Sequence, residues 1–350
     1  MDKDTIIQAR KEYGRLIKES KQQAKRQECL WCGKKITDFC NSHSVPQFVL
    51  KNIDAEGKLD YYNSLIGIPL LNGEKGIKEA GTFKLLCKSC DGKIFQDYES
   101  PDNLSKEPTE IMLEEIALKD ILFILNKRFL EIELFNNMKK QYRMPYPYDA
   151  KQNVNYLDER DFWWDFIRVK NMIQNKSSSK FKLIFWKKLP YIIPVAFQGL
   201  ISLYGDLKGD IVTDIYSHDR DKIIEHMHIC LFPLESCSVV FAFYHENDNE
   251  YDTIAKQLQK LELEDLLQAI SYIVFANSED MLIAKKFPHR TYFKNEVLKV
   301  LLQTNEIWAD NECEAEYKKN NLRNQLKMHY QEFPKILSER YAVRKENTSH

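Results

Sequence analysis

The chain has 350 residues, 43% apolar and 29% charged, with a net charge of −1. That is an ordinary globular balance, long enough for two domains or one large one, and it excludes a chain that grips polyanions by bulk charge alone. No apolar run approaches the roughly 20 residues needed to span a bilayer, and the charged N-terminus lacks the apolar core of a secretory signal, so the expectation is a cytoplasmic protein with no membrane partner.

Residues 5–26 read as a helix, with Ile6, Ile7, Tyr13, Leu16 and Ile17 as a partial apolar stripe. The segment 1–27 is locally basic. Arg10, Lys11, Arg15, Lys18, Lys25 and Arg26 form either a solvated face or a set of nucleic-acid contacts.

Cys29-Leu-Trp-Cys32 and Cys87-Lys-Ser-Cys90 follow, 54 residues apart. Two thiolates from each tight turn complete a tetrahedral all-sulfur set, which suits Zn²⁺. The alternative is two unrelated, redox-active pairs, but no βαβ pattern surrounds either one. The other four cysteines, Cys40, Cys230, Cys237 and Cys313, are scattered, and most of them read as small core residues. Between the pairs lies "NSHSVPQF" (41–48), and His43 there is open to three roles: base, structural residue or zinc ligand.

The linker "ESPDNLSKEPTE" (99–110) separates this module from a long apolar helix over 109–138. "RMPYPYDA" ends that helix, and a second is expected over 157–174. "FKLIFWKKL", "YIIPVAF", "GLISLYG", "DIVTDIYS", "MHICLFPL" and "CSVVFAFYH" read as strands. His226 and His228 alternate along one of them, so they share a face, expected as a partly exposed pair rather than a metal site. Helices are expected again at 251–275 and 291–343. The fold class is therefore α+β: residues 28–100 as a small metal module, then 108–345 as a larger domain of helices and antiparallel sheet.

The order CxxC, S-H-x-x-P-x-F, then L-C-x-x-C-D-x-x-x-F-x-x-Y-E resembles the zinc-bound HNH (ββα-metal, treble-clef) endonucleases, and more closely a bacterial HNH-like group. The resemblance covers roughly 28–100. It implies a structural Zn²⁺ on Cys29, Cys32, Cys87 and Cys90, and His43 as general base in phosphodiester hydrolysis. It also implies Mg²⁺ or Mn²⁺ near Asp91, with Glu99 further along the same helix as a second carboxylate. The substrate would be nucleic acid, DNA first, in a defence role. The sequence departs from the family pattern at Ser42, where the family has Asp, and at Thr82, where an Asn is usual. "LQAISYIVFANSEDMLIAKKF" (267–287) is similar to the closing part of such bacterial proteins, with Asn277 to Asp280 ending a helix. The competing class is a non-catalytic zinc-binding scaffold that engages nucleic acid or protein. A regulatory protein partner or a second copy of the chain fits either class. P-loop, dinucleotide-binding, nucleophile-elbow and zincin motifs are absent.

Overall fold

The computed structural model describes residues 3–65, 68–70, 74–142, 147–176, 180–214, 221–278, 280–293, 295 and 330–344. In chain order the elements are α1 (Lys3–Gln23), β1 (Ser42–His43), α2 (Gln47–Leu50), β2 (Lys58–Leu65), β3 (Ile68–Leu70), β4 (Glu74–Gly76), β5 (Thr82–Phe83) and α3 (Lys88–Ile94). They continue with α4 (Pro101–Leu104), α5 (Glu110–Tyr142), α6 (Pro147–Asn175), β6 (Phe181–Leu189), β7 (Val195–Ile201), β8 (Met227–Pro233) and β9 (Ser238–His245). The remaining regular elements include α7 (Asp252–Gln259), α8 (Leu263–Asn277) and β10 (Met281–Ile283). The class is α+β with antiparallel pairing. No helix among the described residues is long and apolar enough to cross a membrane.

The large sheet runs β3–β2–β10–β7–β8–β9–β6, with β4 also on β2. Its central strands are buried on both faces, so they read as continuous apolar runs without alternation. Cys230, Phe232, Phe241 and Phe243 face the core built from α5 and α6. Ile229, Leu231, Val240 and Ala242 face the opposite core, with α7 and α8. The chain is thus layered helix–sheet–helix around two apolar interiors.

The cysteine-bearing segment is joined to that frame. Strand β2 lies between the cysteine pairs in sequence, yet Asp60, Tyr61 and Tyr62 pair with Ile283, Leu282 and Met281. Val45, Val49, Leu50, Phe83 and Leu86 share one apolar cluster with Met112, Leu113, Ile116 and Leu122 of α5. Asp280, just past α8, accepts from Tyr61 (3.1 Å) and pairs with Lys127 of α5 (3.2 Å), so the polar end of α8 is a structural tie.

A separate two-stranded ladder is formed by β1 and β5, pairing Ser42 with Phe83 and His43 with Thr82. Gly81 makes the entry to β5 possible. It sits at φ +63°, its carbonyl accepts from Ser44 N (2.7 Å), and a Cβ there would lie 2.6 Å from Ser44 Oγ.

Several expectations change. Helix α6 begins at Pro147, ahead of the expected 157, and the helix expected over 251–275 is two, α7 and α8. "YIIPVAF" and "GLISLYG" supply one strand, β7, not two. "DIVTDIYS" supplies only an isolated bridge between Ile211 and Gly205 before 215–220, which lie outside the described residues. Residues 330–344 are turns and a single 3₁₀ turn (Glu339–Tyr341), not the end of a long helix; Pro334 removes a backbone donor there. Residues 296–329, with Cys313, lie outside the described residues.

Candidate metal centre and the histidine beside it

Cys29 and Cys32 sit on a tight turn. Gly33 adopts φ +69°, and its N–H donates to Cys29 O at 2.8 Å, while Cys29 N donates to Lys34 O at 3.0 Å. Cys87 caps the start of α3 and Cys90 lies in its first turn, both Cys90 N and Asp91 N donating to Cys87 O at 3.0 Å. The halves are stitched by Leu30 N to Leu85 O (3.0 Å) and Cys87 N to Cys29 Sγ (3.3 Å). All four Sγ atoms lie within 4.8 Å of one another. Tetrahedral sulfur ligands about 2.3 Å from a zinc ion stand about 3.8 Å apart. The donor set and its spacing therefore fit one Zn²⁺.

Burial raises the Cys29 and Cys90 thiols, while the Lys34 backbone N–H lowers Cys32 to about 7. A bound cation would favour all four thiolates. From α6, Lys170 donates to the carbonyls of Leu30 (3.2 Å) and Trp31 (2.7 Å), holding the first turn against the large domain.

His43 lies half-buried on β1, its Nε2 3.0 Å from Ile77 O. A carbonyl accepts only, so Nε2 carries the proton and Nδ1 keeps its lone pair. Burial holds the imidazole below the usual histidine range, that is, neutral at pH 7. Beside it, Asp91 accepts from Ser42 Oγ (2.5 Å on Oδ1) and from Cys40 Sγ (3.2 Å on Oδ2). Ser42 thus binds the helix carboxylate instead of adding one of its own. Burial first, and Asp91 second, pushes the Cys40 thiol up to about 11.

Glu99 is placed differently from the sequence expectation. Helix α3 ends at Ile94, and residues 95–99 form turns, so Glu99 does not share a helix with Asp91. The cause lies on α5: Glu115 accepts the N–H groups of Asp97 (3.4 Å) and Tyr98 (2.9 Å), diverting that backbone from the helical ladder. Burial raises Glu115 to about 7. The Glu99 carboxylate accepts from Lys119 Nζ of α5. Among the described residues, the cysteines are the one group of three or more His, Cys, Asp or Glu donors gathered this closely. Asp91 and Glu99 each already accept from protein donors, Ser42 and Cys40 on the one and Lys119 on the other.

No family model, curated protein or solved structure matches this chain. What the site can do rests on its own geometry.

The basic helix α1 packs on α5 through Leu16 and Leu134, with Asn137 Nδ2 donating to Ser20 Oγ at 2.9 Å. Lys11, Lys18 and Lys25 are exposed. Arg15 pairs with Glu19 (2.7 Å) and donates to Gln141 (2.8 Å). Arg26 lies over Phe129 (4.3 Å to the centroid) and Trp163 (5.8 Å), serving as packing as much as charge. The Arg10 side chain lies outside the described residues.

A second polar cluster lies inside the large domain. His226 and His228 do share a face, their ring centroids 5.3 Å apart, but both are buried, not partly exposed. His228 Nδ1 meets Asp120 Oδ2 at 2.7 Å, and Gln198 Nε2 donates to Asp120 Oδ1 at 2.9 Å. His226 Nε2 lies 3.7 Å from Asp165, which Arg168 also holds at 2.6 Å. Burial lowers His226 to about 4. Asp120→Ala would leave His228 and Gln198 without their partner in a dry interior. The expected cost is about 3 kcal/mol, read as a lower urea midpoint, and Asp120→Asn costs less because an amide still bonds both neighbours.

Sequence reading did not single out Lys119, Asp120 or Lys170. For Lys119 and Asp120 the signal was "ALKDILF": a charged pair inside a helix apolar on several faces can only be buried against partners.

Proposed function

We propose that this chain is an HNH-type endonuclease, in which a structural zinc on Cys29, Cys32, Cys87 and Cys90 holds a treble-clef ββα module and His43 is the general base. The observation that carries the proposal is the anchored imidazole: Nε2 is fixed on Ile77 O, leaving Nδ1 as the lone pair. Support also comes from the element order, with a cysteine turn, the β1–β5 ladder and α3 carrying the second pair. The resemblance quoted above has the same order.

In the proposed reaction, His43 Nδ1 takes a proton from water as the water oxygen bonds to phosphorus; the P–O ester bond breaks, and the departing oxygen takes a proton from solvent. Burial and the Lys119 ammonium oppose the imidazolium so formed, while the Ile77 carbonyl and the charges of Glu99 and Asp91 favour it. Zinc, when bound, supplies shape rather than chemistry: its four sulfur ligands leave no open position for water. The resemblance also implies Mg²⁺ or Mn²⁺, but Asp91 and Glu99 are already engaged by protein donors, so that ion does not fit this donor set and no step runs through it.

Nucleic acid, DNA first, is the proposed partner, with Lys11, Lys18 and Lys25 as phosphate contacts. A cytoplasmic defence role, with the 108–345 domain recognising a regulator or a second copy, belongs to the same proposal.

Because burial lowers the His43 pKa, the base is already unprotonated at neutral pH. The cleavage rate should rise with pH through a midpoint below the ordinary value of about 6.5 and stay flat above it. A midpoint above 6.5 would contradict the assigned environment.

The scaffold reading is favoured by one observation, the two protein donors on Asp91. The deciding experiment incubates zinc-loaded protein with supercoiled plasmid, single-stranded DNA and RNA, with and without Mg²⁺ or Mn²⁺. Nicking by wild type that His43→Ala loses at equal zinc content supports the enzyme. Binding without cutting under every condition supports the scaffold.

A further inference from the structure

Three charged groups act on His43: Lys119, Glu99 and Asp91. Lys119 is the unexpected one. It comes from the middle of α5, is only 1% exposed, and its ammonium donates to Glu99. The same ammonium lies 4.0 Å from the Phe95 ring centroid and 5.3 Å from that of Tyr98. Two aromatic faces and one carboxylate form a seat for a monovalent cation with little water around it. They suit Mg²⁺ poorly, since that ion keeps an octahedral oxygen shell and gives up its waters reluctantly.

We propose that Lys119 is the built-in cation of the Glu99 carboxylate, the second carboxylate that the HNH resemblance implies for a divalent ion, so that the zinc-loaded chain takes up no Mg²⁺ or Mn²⁺ there. Glu99 is then the counter-ion of Lys119. It cannot be handed to an incoming metal without leaving a buried ammonium unpaired, which is strongly unfavourable. A divalent ion near Glu99 would also be repelled by the ammonium behind it, although Glu99 itself is partly exposed and water screens that side of the pair. At Asp91 the donors are neutral, Ser42 Oγ on one oxygen and Cys40 Sγ on the other, so it is Lys119 that decides whether a divalent ion can enter. The inference rests on the HNH reading for the purpose of the site, but it makes a statement about cation binding that holds whether or not the protein cuts.

The test is Mn²⁺ titration of the zinc-loaded full chain, followed by electron paramagnetic resonance of free Mn²⁺. Wild type should show no Mn²⁺ site that depends on Glu99. Lys119→Met removes the ammonium and frees Glu99, so Mn²⁺ binding should strengthen by at least about tenfold and disappear again in Lys119→Met/Glu99→Gln. Lys119→Gln is run in parallel, because its amide still donates to Glu99 and keeps the turn packed; it should gain Mn²⁺ affinity in the same direction. The proposal is overturned if wild type binds Mn²⁺ at a site that Glu99→Gln removes, or if neither Lys119 variant gains Mn²⁺ affinity. If wild type binds Mn²⁺ and His43-dependent cleavage persists, this inference alone falls. If Mn²⁺ binding behaves as expected but nothing is cut, the nuclease reading alone falls.

Discussion

Replacing Cys87 with serine, or stripping the metal with a strong chelator, is expected to unfold the β1–β5 ladder and α3 and destabilise the whole chain. The β1–β5 ladder has two residues on each strand, and α3 has seven, so little there holds itself. Zinc bound by four thiolates contributes an apparent 10–16 kcal/mol in small domains, on the order of the entire stability of a typical fold. The damage should spread because Val49, Leu50, Phe83 and Leu86 lie in the same apolar cluster as α5. The apparent melting temperature should fall by at least about 10 °C, with the loss of near-ultraviolet dichroism. Cys40→Ser is the matched control. Its thiol points at Asp91, outside the sulfur cluster, so zinc content should remain at one ion per chain. A Cys87→Ser protein that kept its zinc and its melting temperature would remove the basis for the module.

His43→Ala should lower phosphodiester cleavage by about 10²–10⁴-fold, the usual contribution of a positioned base. The effect on folding should be small by comparison, because His43 is half-buried and makes one hydrogen bond, to Ile77 O. Zinc content and melting temperature should stay near wild type. His43→Gln discriminates further. Glutamine can still donate to the Ile77 carbonyl but offers no basic lone pair, so it should restore packing without restoring the rate. Equal loss of rate and of zinc in both variants would mean that His43 acts through structure.

The cysteine pairs were legible in the sequence because two C-x-x-C turns need only local geometry to present four sulfurs. Helix α5 was legible from its apolar content, as was α6 apart from its first ten residues, and β8 and β9 from their β-branched and aromatic runs. What escaped depends on distant partners. The end of α3 at Ile94 is set by Glu115, whose carboxylate draws away the N–H groups of Asp97 and Tyr98. Strand β2 joins the large sheet by pairing Tyr61 with Leu282, far along the chain. His228 reads as a surface residue on a strand until Asp120 of α5 is seen against it. Glu99 reads as a free carboxylate on a helix until Lys119 is seen beside it. In each case the local pattern was sound and a tertiary contact overrode its consequence.

Zinc K-edge X-ray absorption of the purified full-length chain, with metal content measured on the same sample, tests the centre of the account most directly. One zinc per chain with four sulfur neighbours at about 2.3 Å is the expected result. A nitrogen neighbour in that shell would contradict it, because an imidazole such as His43 would then be a ligand and no longer a free base, as would a chain that carries no zinc.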